Sequence, residues 1–586
     1  MIALALRRAL VQRLLSAAAV LGCATSLQAQ SSAVIGGVAK RPATPALVTL
    51  EGLGQGVVDF TIGKRVVAWT SREVVLQLDL NDDGDMLDHV LYVHDRVTGI
   101  TRNTGLAISR VNGGDKRLLQ DEDVIMTLVS EDDAGQTDLN GDGDASDGVV
   151  QFVDGITGAI TNTGLARRTT ADQMDLEGGL FAVIVDEFAQ GLDLDGDGQL
   201  GDFVTFAGSV ATGVSTALPF TTNLLGRLAV LEGHVVVAAH ESSSGVDWTQ
   251  DGDLLDYVLA VHDIARGTST LLPGAIGAGF QELEGDLLVY AVEDGSIDRN
   301  GDGDALDIVP GFLDLANEVF VPFGPASNAG IARDGDLLAF AVSEPFEGVD
   351  LNGDGDVLDL VLHVVDLSTA TVTNVGLATD YTLPEMRDGR VAFMVPESAQ
   401  GLADLNFDGG VGDGVPHVYD AASNTTLNTH IAAVGVLRLL GDSLACTVSE
   451  HDQAATDLNG DGDAADAVLH VVDLPTGRAV NRRLACTSAL LDTVGGAFTF
   501  VVEESSQGQD LLGDGDLFDN VRYVLDEDTG ALISLGLGMF GPVPMSGPDT
   551  LGAIVGFLAS EPSSGDDLDG DGDASDVVLV LATVKG

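Results

Sequence analysis

Basic residues are scarce in this chain. Lysine and arginine number 27 against 91 aspartates and glutamates, a formal net charge of −64, and a deficit that strong excludes nucleic acid and anionic membranes as partners. Cysteine is almost absent, at 3 residues in 586. Cys446 and Cys486 leave room for one disulfide beyond the N-terminal segment, so a disulfide framework does not hold the chain together. Helical periodicity is missing after the first residues, and no later stretch is long and apolar enough to span a membrane. Nucleophile-elbow, zinc-protease and phosphate-loop motifs are missing too. His363 and His470 share one setting, Leu-His-Val-Val-Asp, and His94 and His262 sit in Val-His-Asp, so these histidines read as repeat residues. Apolar residues are not in short supply: a hydrophobic content of 45% excludes a disordered acidic tail.

The first residues have the layout of a secretory signal. Arg7, Arg8 and Arg13 precede an apolar stretch from Leu14 to Gly22, and Leu27-Gln28-Ala29 offers a cleavage site. The expected division is a signal peptide over 1–29 and a ten-repeat mature chain over 30–586, secreted or at the cell surface, with the periplasm also open. Cys23, after Val20-Leu21-Gly22, forms an imperfect lipoprotein signal and makes lipid anchoring the lesser alternative.

What the chain has in abundance is one acidic loop. The pattern Asp-x-[Asn/Asp]-x-Asp-Gly-Asp-x-x-Asp begins at Asp79, Asp138, Asp193, Asp247, Asp298, Asp350, Asp404, Asp457, Asp510 and Asp567, with starts 51 to 59 residues apart. The protein is therefore an array of one unit about 54 residues long. Positions 1, 5 and 10 are Asp and position 6 is Gly in every copy. Two carboxylates 4 Å apart repel by roughly 4 kcal/mol at an effective dielectric near 20. Four of them in ten residues would splay the loop unless a cation sat among them, and hard oxygen donors point to Ca²⁺, up to ten ions.

The candidate ligands follow repeat by repeat. They are Asp79, Asn81, Asp83, Asp85 and Asp88; Asp138, Asn140, Asp142, Asp144 and Asp147; Asp193, Asp195, Asp197 and Asp202; and Asp247, Asp251, Asp253 and Asp256. The fifth and sixth repeats supply Asp298, Asn300, Asp302, Asp304 and Asp307, then Asp350, Asn352, Asp354, Asp356 and Asp359. The seventh and eighth supply Asp404, Asn406, Asp408 and Asp413, then Asp457, Asn459, Asp461, Asp463 and Asp466. Asp510, Asp514, Asp516 and Asp519, and Asp567, Asp569, Asp571, Asp573 and Asp576 complete the set. Copies with Thr249, Gly410 or Leu512 at a usual ligand position are expected to bind weakly. A Glu also recurs five to seven residues before each loop: Glu73, Glu131, Glu187, Glu241, Glu293, Glu344, Glu397, Glu450, Glu504 and Glu561. It either folds over the loop as a further ligand or is a solvated carboxylate at a strand end.

Positions 1, 3, 5 and 6 follow the EF-hand scheme, in which position 7 contributes its backbone carbonyl, but position 12 is hydrophobic, as at Val90, Val149 and Val361. The run after the loop, such as Val-Leu-His-Val-Val-Asp at 361–366, is a strand. The loop resembles the calcium loops of integrin α-subunit propellers and related bacterial surface repeats, with the closing Asp one residue later. The sixth repeat predicts strands at Leu337–Val342, Leu360–Val365 and Thr371–Val375, with a short apolar piece at Ile331-Ala332 before them. Segments such as Gly-Arg-Val-Ala-Phe-Met-Val (389–395) resemble the second strand of TolB-type propeller repeats.

The resemblance implies an all-β fold, a β-propeller of ten four-stranded repeats in one closed ring. Two five-bladed rings or a calcium-loaded β-solenoid are the alternatives. The final repeat lacks a fourth strand, which the segment 45–54 can supply. The function expected is that of a secreted calcium-binding structural or adhesion-type module, with a protein or glycan ligand on the loop face. An exported hydrolase or lyase with a funnel site, or an extracellular calcium store, are the alternatives.

Overall fold

Short β-branched runs separated by Gly- and Asp-rich turns build sheets. The computed structural model describes residues 48–584 apart from 110–117, 168–172, 224–225, 284, 294–297, 302, 304–306, 326, 328–329, 488–489, 540–553, 566 and 569–573. The expected signal over 1–29 and Cys23 lie outside the described residues.

The chain is all-β, and its repeating element is a four-stranded antiparallel meander. In the sixth repeat the strands are Ile331–Asp334, Leu337–Ser343, Leu360–Asp366 and Thr371–Thr379, each paired with the next. These match the expected strands and extend them by one to four residues. A single helical turn, Glu344–Glu347, follows the second strand and was not expected. Four residues are too few to show a 3.6-residue period. Gly348, at φ 63°, ends the turn in the left-handed region that glycine tolerates.

Seven sheets in the described residues have four strands. A seven-stranded sheet holds the fourth and fifth repeats, joined through the 16-residue strand Thr268–Leu283, which closes one meander and opens the next. In the tenth repeat Ile554–Ser560 pairs with Val577–Val584, whose other edge is taken by the N-terminal strand Val48–Gln55. This is the strand exchange expected of segment 45–54, and it removes a free edge. Gly54 in that strand has no room for a side chain: a Cβ would come within 2.4 Å of the Trp69 indole.

Within each compact unit neighbouring sheets pack face to face. Ala339, Leu362 and Val364 of the sixth repeat meet Val391, Phe393 and Val395 of the seventh, and equivalent cores recur between later and earlier neighbours. Both faces of an inner strand are covered, so it reads as an unbroken apolar run. The first strands of consecutive repeats also lie side by side, Ile331–Asp334 next to Glu385–Arg387 and Val57–Ile62 next to Leu118–Asp121. Face-packed meanders with adjoining first strands are the arrangement of propeller blades. The strand pairs of the described residues are antiparallel, unlike the parallel coils of a β-solenoid. The chain divides into two compact units, Pro325–Ser534 and Ala43–Gly324 with Leu535–Gly586. The first holds repeats six to eight and most of the ninth, whose last strand, Leu532–Gly538, straddles the boundary, and the second holds the remaining repeats.

Candidate metal centre

The acidic loop joins the second strand to the third in each repeat, as the pattern implied, and the recurring Glu stands just before it, opening a single helical turn at Glu73, Glu187, Glu241, Glu344, Glu397, Glu504 and Glu561 and a non-helical turn at Glu131 and Glu450. That Glu is not a solvated strand-end group. Glu344 has no solvent exposure. Its Oε1 accepts from the N–H of Leu351 at 2.6 Å and of Asn352 at 3.3 Å, and its Oε2 accepts from Asp359 N–H at 3.1 Å. One carboxylate thus clamps loop positions 2, 3 and 10. Glu73, Glu131, Glu187, Glu397, Glu450, Glu504 and Glu561 make the same two-ended clamp. Burial of a charge is tolerable because several backbone donors face it.

Inside the loop the aspartates fold the backbone around themselves. Asp350 accepts from Gly353 and Gly355 at 2.7 and 3.1 Å, Asp354 from Asp356 at 3.1 Å, and Asp356 from Leu358 at 3.0 Å. Alternate side chains are thereby tied to the backbone of their own loop.

The convergence is direct in several repeats. One carboxylate oxygen from each of Glu504, Asp514, Asp516 and Asp519 lies within 4.8 Å of the others. Glu73 with Asp85 and Asp88, Glu131 with Asp144 and Asp147, and Glu187 with Asp195 and Asp202 form the same kind of group. Asp193, Asp195 and Asp197 converge as a second group in the third repeat. The structure therefore brings the Glu together with positions 3, 5, 7 and 10. Asp302, Asp304, Asp569, Asp571 and Asp573 lie outside the described residues.

The electrostatic cost shows at position 10. Burial, with neighbouring carboxylates adding to it, pushes Asp88 up to about 7 and Asp202, Asp359 and Asp413 up to about 6. Asp256 and Asp466 are raised for the same reasons. A carboxyl group held out of water beside other carboxylates favours its proton, or a cation in its place.

Supporting residues were visible in the sequence but not recognised. Asn374 donates to the carbonyl of Leu351 at 2.9 Å, and Asn103, Asn162, Asn428 and Asn481 do the same in their repeats. In the first and second repeats that Asn opens an identical segment, Asn-Thr-Gly-Leu-Ala at 103–107 and 162–166, whose recurrence was the available clue. Gln507, which ends its helical turn, and Gln400, which directly follows its own, accept backbone N–H groups of Ala485 and Ala378 in the preceding repeat. The histidines are strand residues: His363 and His470 are buried with Nδ1 against the carbonyls of Val361 and Val468, and His94 and His262 each bond a hydroxyl. Cys446 and Cys486 are buried and unbonded, so the disulfide left open by the sequence is not formed.

The chain matches no protein-family model and no curated protein. Among solved structures it is similar to TolB from Acinetobacter baumannii, at 10% identity over 53% of this chain and 63% of that one, with a TM-score of 0.24. The β-propeller domain of the trilobed protease from Pyrococcus furiosus is 8% identical over 64% of this chain and 97% of its own, with a TM-score of 0.28. Dipeptidyl peptidase 4 from Porphyromonas gingivalis is 9% identical over 78% and 66%, with a TM-score of 0.36. No activity transfers from similarities of this size.

No helix among the described residues is long and apolar enough to cross a membrane.

Proposed function

We propose that this chain is an exported, calcium-stabilised propeller repeat protein that acts as a structural or adhesion-type binding module. The observation that carries it is the meeting of Glu504, Asp514, Asp516 and Asp519 within 4.8 Å, repeated in kind along the chain. Aspartates and asparagines at positions 1, 3, 5, 7 and 10, with the buried Glu behind them, would hold the ion. When bound, Ca²⁺ supplies the charge that offsets carboxylate repulsion and draws on about six to eight oxygens. The loop's own residues then fix the link between second and third strands. Because Asn and Asp of one loop also touch the next repeat, holding the loop holds the neighbouring sheet. Export fits this use, since weak calcium sites fill where the ion is near millimolar. The loop ends of the sheets would receive a protein or glycan carrying cationic groups, or one bridged through calcium.

The test is thermal unfolding of the mature protein with excess calcium and with chelator, alongside a calorimetric count of bound ions. A large calcium-dependent rise in Tm with a stoichiometry approaching ten loops is expected. No shift together with no binding would overturn the proposal.

A further inference from the structure

The fourth loop breaks the rule the others follow. In eight repeats both oxygens of the recurring Glu are engaged by backbone N–H groups at the two ends of the loop, as at Glu344. In the fourth repeat Glu241 Oε1 keeps its share, accepting from Trp248 at 2.7 Å and Thr249 at 2.9 Å. Its Oε2 has no hydrogen-bond partner, although Glu241 has no solvent exposure at all. Glu293 in the fifth repeat is similar, but part of its loop lies outside the described residues.

Position 3 differs in the same repeat. Where Asn352 offers an amide, Thr249 brings a hydroxyl whose Oγ1 lies 3.1 Å from Glu241 Oε1, 3.3 Å from Asp256 Oδ2 and 3.4 Å from Asp247 Oδ1. A hydroxyl has one proton and serves one of these oxygens at a time. Glu241 Oε1 and Asp247 Oδ1 also accept backbone N–H groups, so the hydroxyl is what they share with Asp256 Oδ2. A buried carboxylate oxygen without a donor, held beside a loop of aspartates, has one common remedy, a cation.

Resting on the calcium reading above, we infer that Glu241 is itself a ligand in the fourth repeat, where its Oε2 binds the ion together with Asp247, Thr249, Asp251 and Asp256. In the eight repeats where both its oxygens meet backbone N–H groups, the Glu is a backbone clamp. Adding a full carboxylate charge to the donor set, in a pocket penalised while empty, makes this the first site to fill. The expectation from sequence, that Thr249 marks a weak copy, is reversed.

Trp248 makes the site separately readable. It occupies loop position 2, beside Glu241, and the chain contains only one other tryptophan, Trp69. Terbium added to the calcium-free protein and excited through tryptophan reports on an ion near Trp248. The Trp248→Phe variant identifies that part of the emission. The expected result is saturation at one ion per chain, at a concentration about tenfold below that at which calorimetry shows the other sites filling. Calcium should displace the signal. Glu241→Gln should weaken it about tenfold, whereas Glu344→Gln in the sixth repeat should leave it unchanged.

Filling in step with or after the other sites would overturn the inference, and that order is read on the unsubstituted protein, whether or not Glu241→Gln folds. An unchanged midpoint in Glu241→Gln would overturn it as well. Terbium and calcium binding nowhere would instead remove the calcium reading itself.

Discussion

The side-chain amide of Asn352 donates to the backbone carbonyl of Ala399 at 2.9 Å, tying the acidic loop of the sixth repeat to the helical turn of the seventh. The same Nδ2 reaches Asp359 Oδ2 at 3.2 Å, and Oδ1 accepts from Asp354 N–H at 3.0 Å. One residue thus joins the two halves of its loop to each other and to the next sheet. Asn81, Asn140 and Asn459 make the corresponding bonds to Asp133, Ala189 and Ser506. The acidic loop is thus also a joint between blades.

Truncating that joint has a predictable cost. Asn352→Ala removes these bonds and should lower stability by about 1–2 kcal/mol in chelator. Asn352→Asp keeps an oxygen at position 3 and should preserve more of the calcium-dependent rise in Tm. Denaturant unfolding of both variants, with and without calcium, checks the order.

Glu344→Gln tests the clamp. The amide nitrogen would face a backbone N–H where a carboxylate oxygen now accepts, leaving a buried donor unpaired. A loss of about 2–3 kcal/mol is expected even without calcium. A purely ligand role would leave the calcium-free protein unaffected, so denaturant melts in chelator separate the two.

The pH dependence has a definite sign. Asp359, Asp413 and Asp202 are raised to about 6 and Asp88 to about 7, above their value of 3.8 when exposed. The folded state therefore binds protons more tightly than the unfolded state. The resulting stabilisation is complete below about pH 4 and is lost as pH rises through about 6 to 7. Calcium-free protein should melt at progressively lower temperature across that window. Excess calcium should flatten the dependence, and its binding should release protons. Melting curves over a pH series, with chelator and with calcium, check both statements.

Gly401 carries two constraints that substitutions can separate. It sits at φ 66°, and a Cβ there would lie 3.3 Å from the Asp354 Cβ of the preceding loop. Gly353, at φ 80°, has open space around the same position. Gly353→Ala should cost about 1 kcal/mol, from backbone strain alone, and Gly401→Ala measurably more. Equal losses would mean that the inter-repeat approach is not tight.

Burial pushes the Cys446 thiol up to about 12 and raises that of Cys486 as well. Neither should react with a thiol reagent in the native protein near neutral pH, and both should react on unfolding. Mass-spectrometric counting of labels before and after denaturation checks this.

Much of the fold was legible because it is local. Leu337–Ser343 and Leu360–Asp366 appear in the sequence as β-branched runs bounded by turn residues. Loop position followed from the same reading, because strand, acidic turn and strand are contiguous. The helical turn Glu344–Glu347 escaped notice since one turn leaves no periodic trace. The role of Glu344 was ambiguous for another reason: exposure of a strand-end residue depends on what covers it.

By itself, then, the sequence determined the repeat, the strands within it and the place of the acidic loop, all of which depend on neighbouring residues and their turn chemistry. Only the tertiary structure decided which groups those residues meet. The Asn352 bond spans 47 positions, and the outer strand of the tenth repeat comes from Val48–Gln55 at the other end of the chain. Glu241 and Glu344 occupy equivalent places in the pattern, yet one has a bare oxygen and the other does not. Hydrogen-bond partners and burial are set by packing across sheets, and a linear pattern does not carry that information.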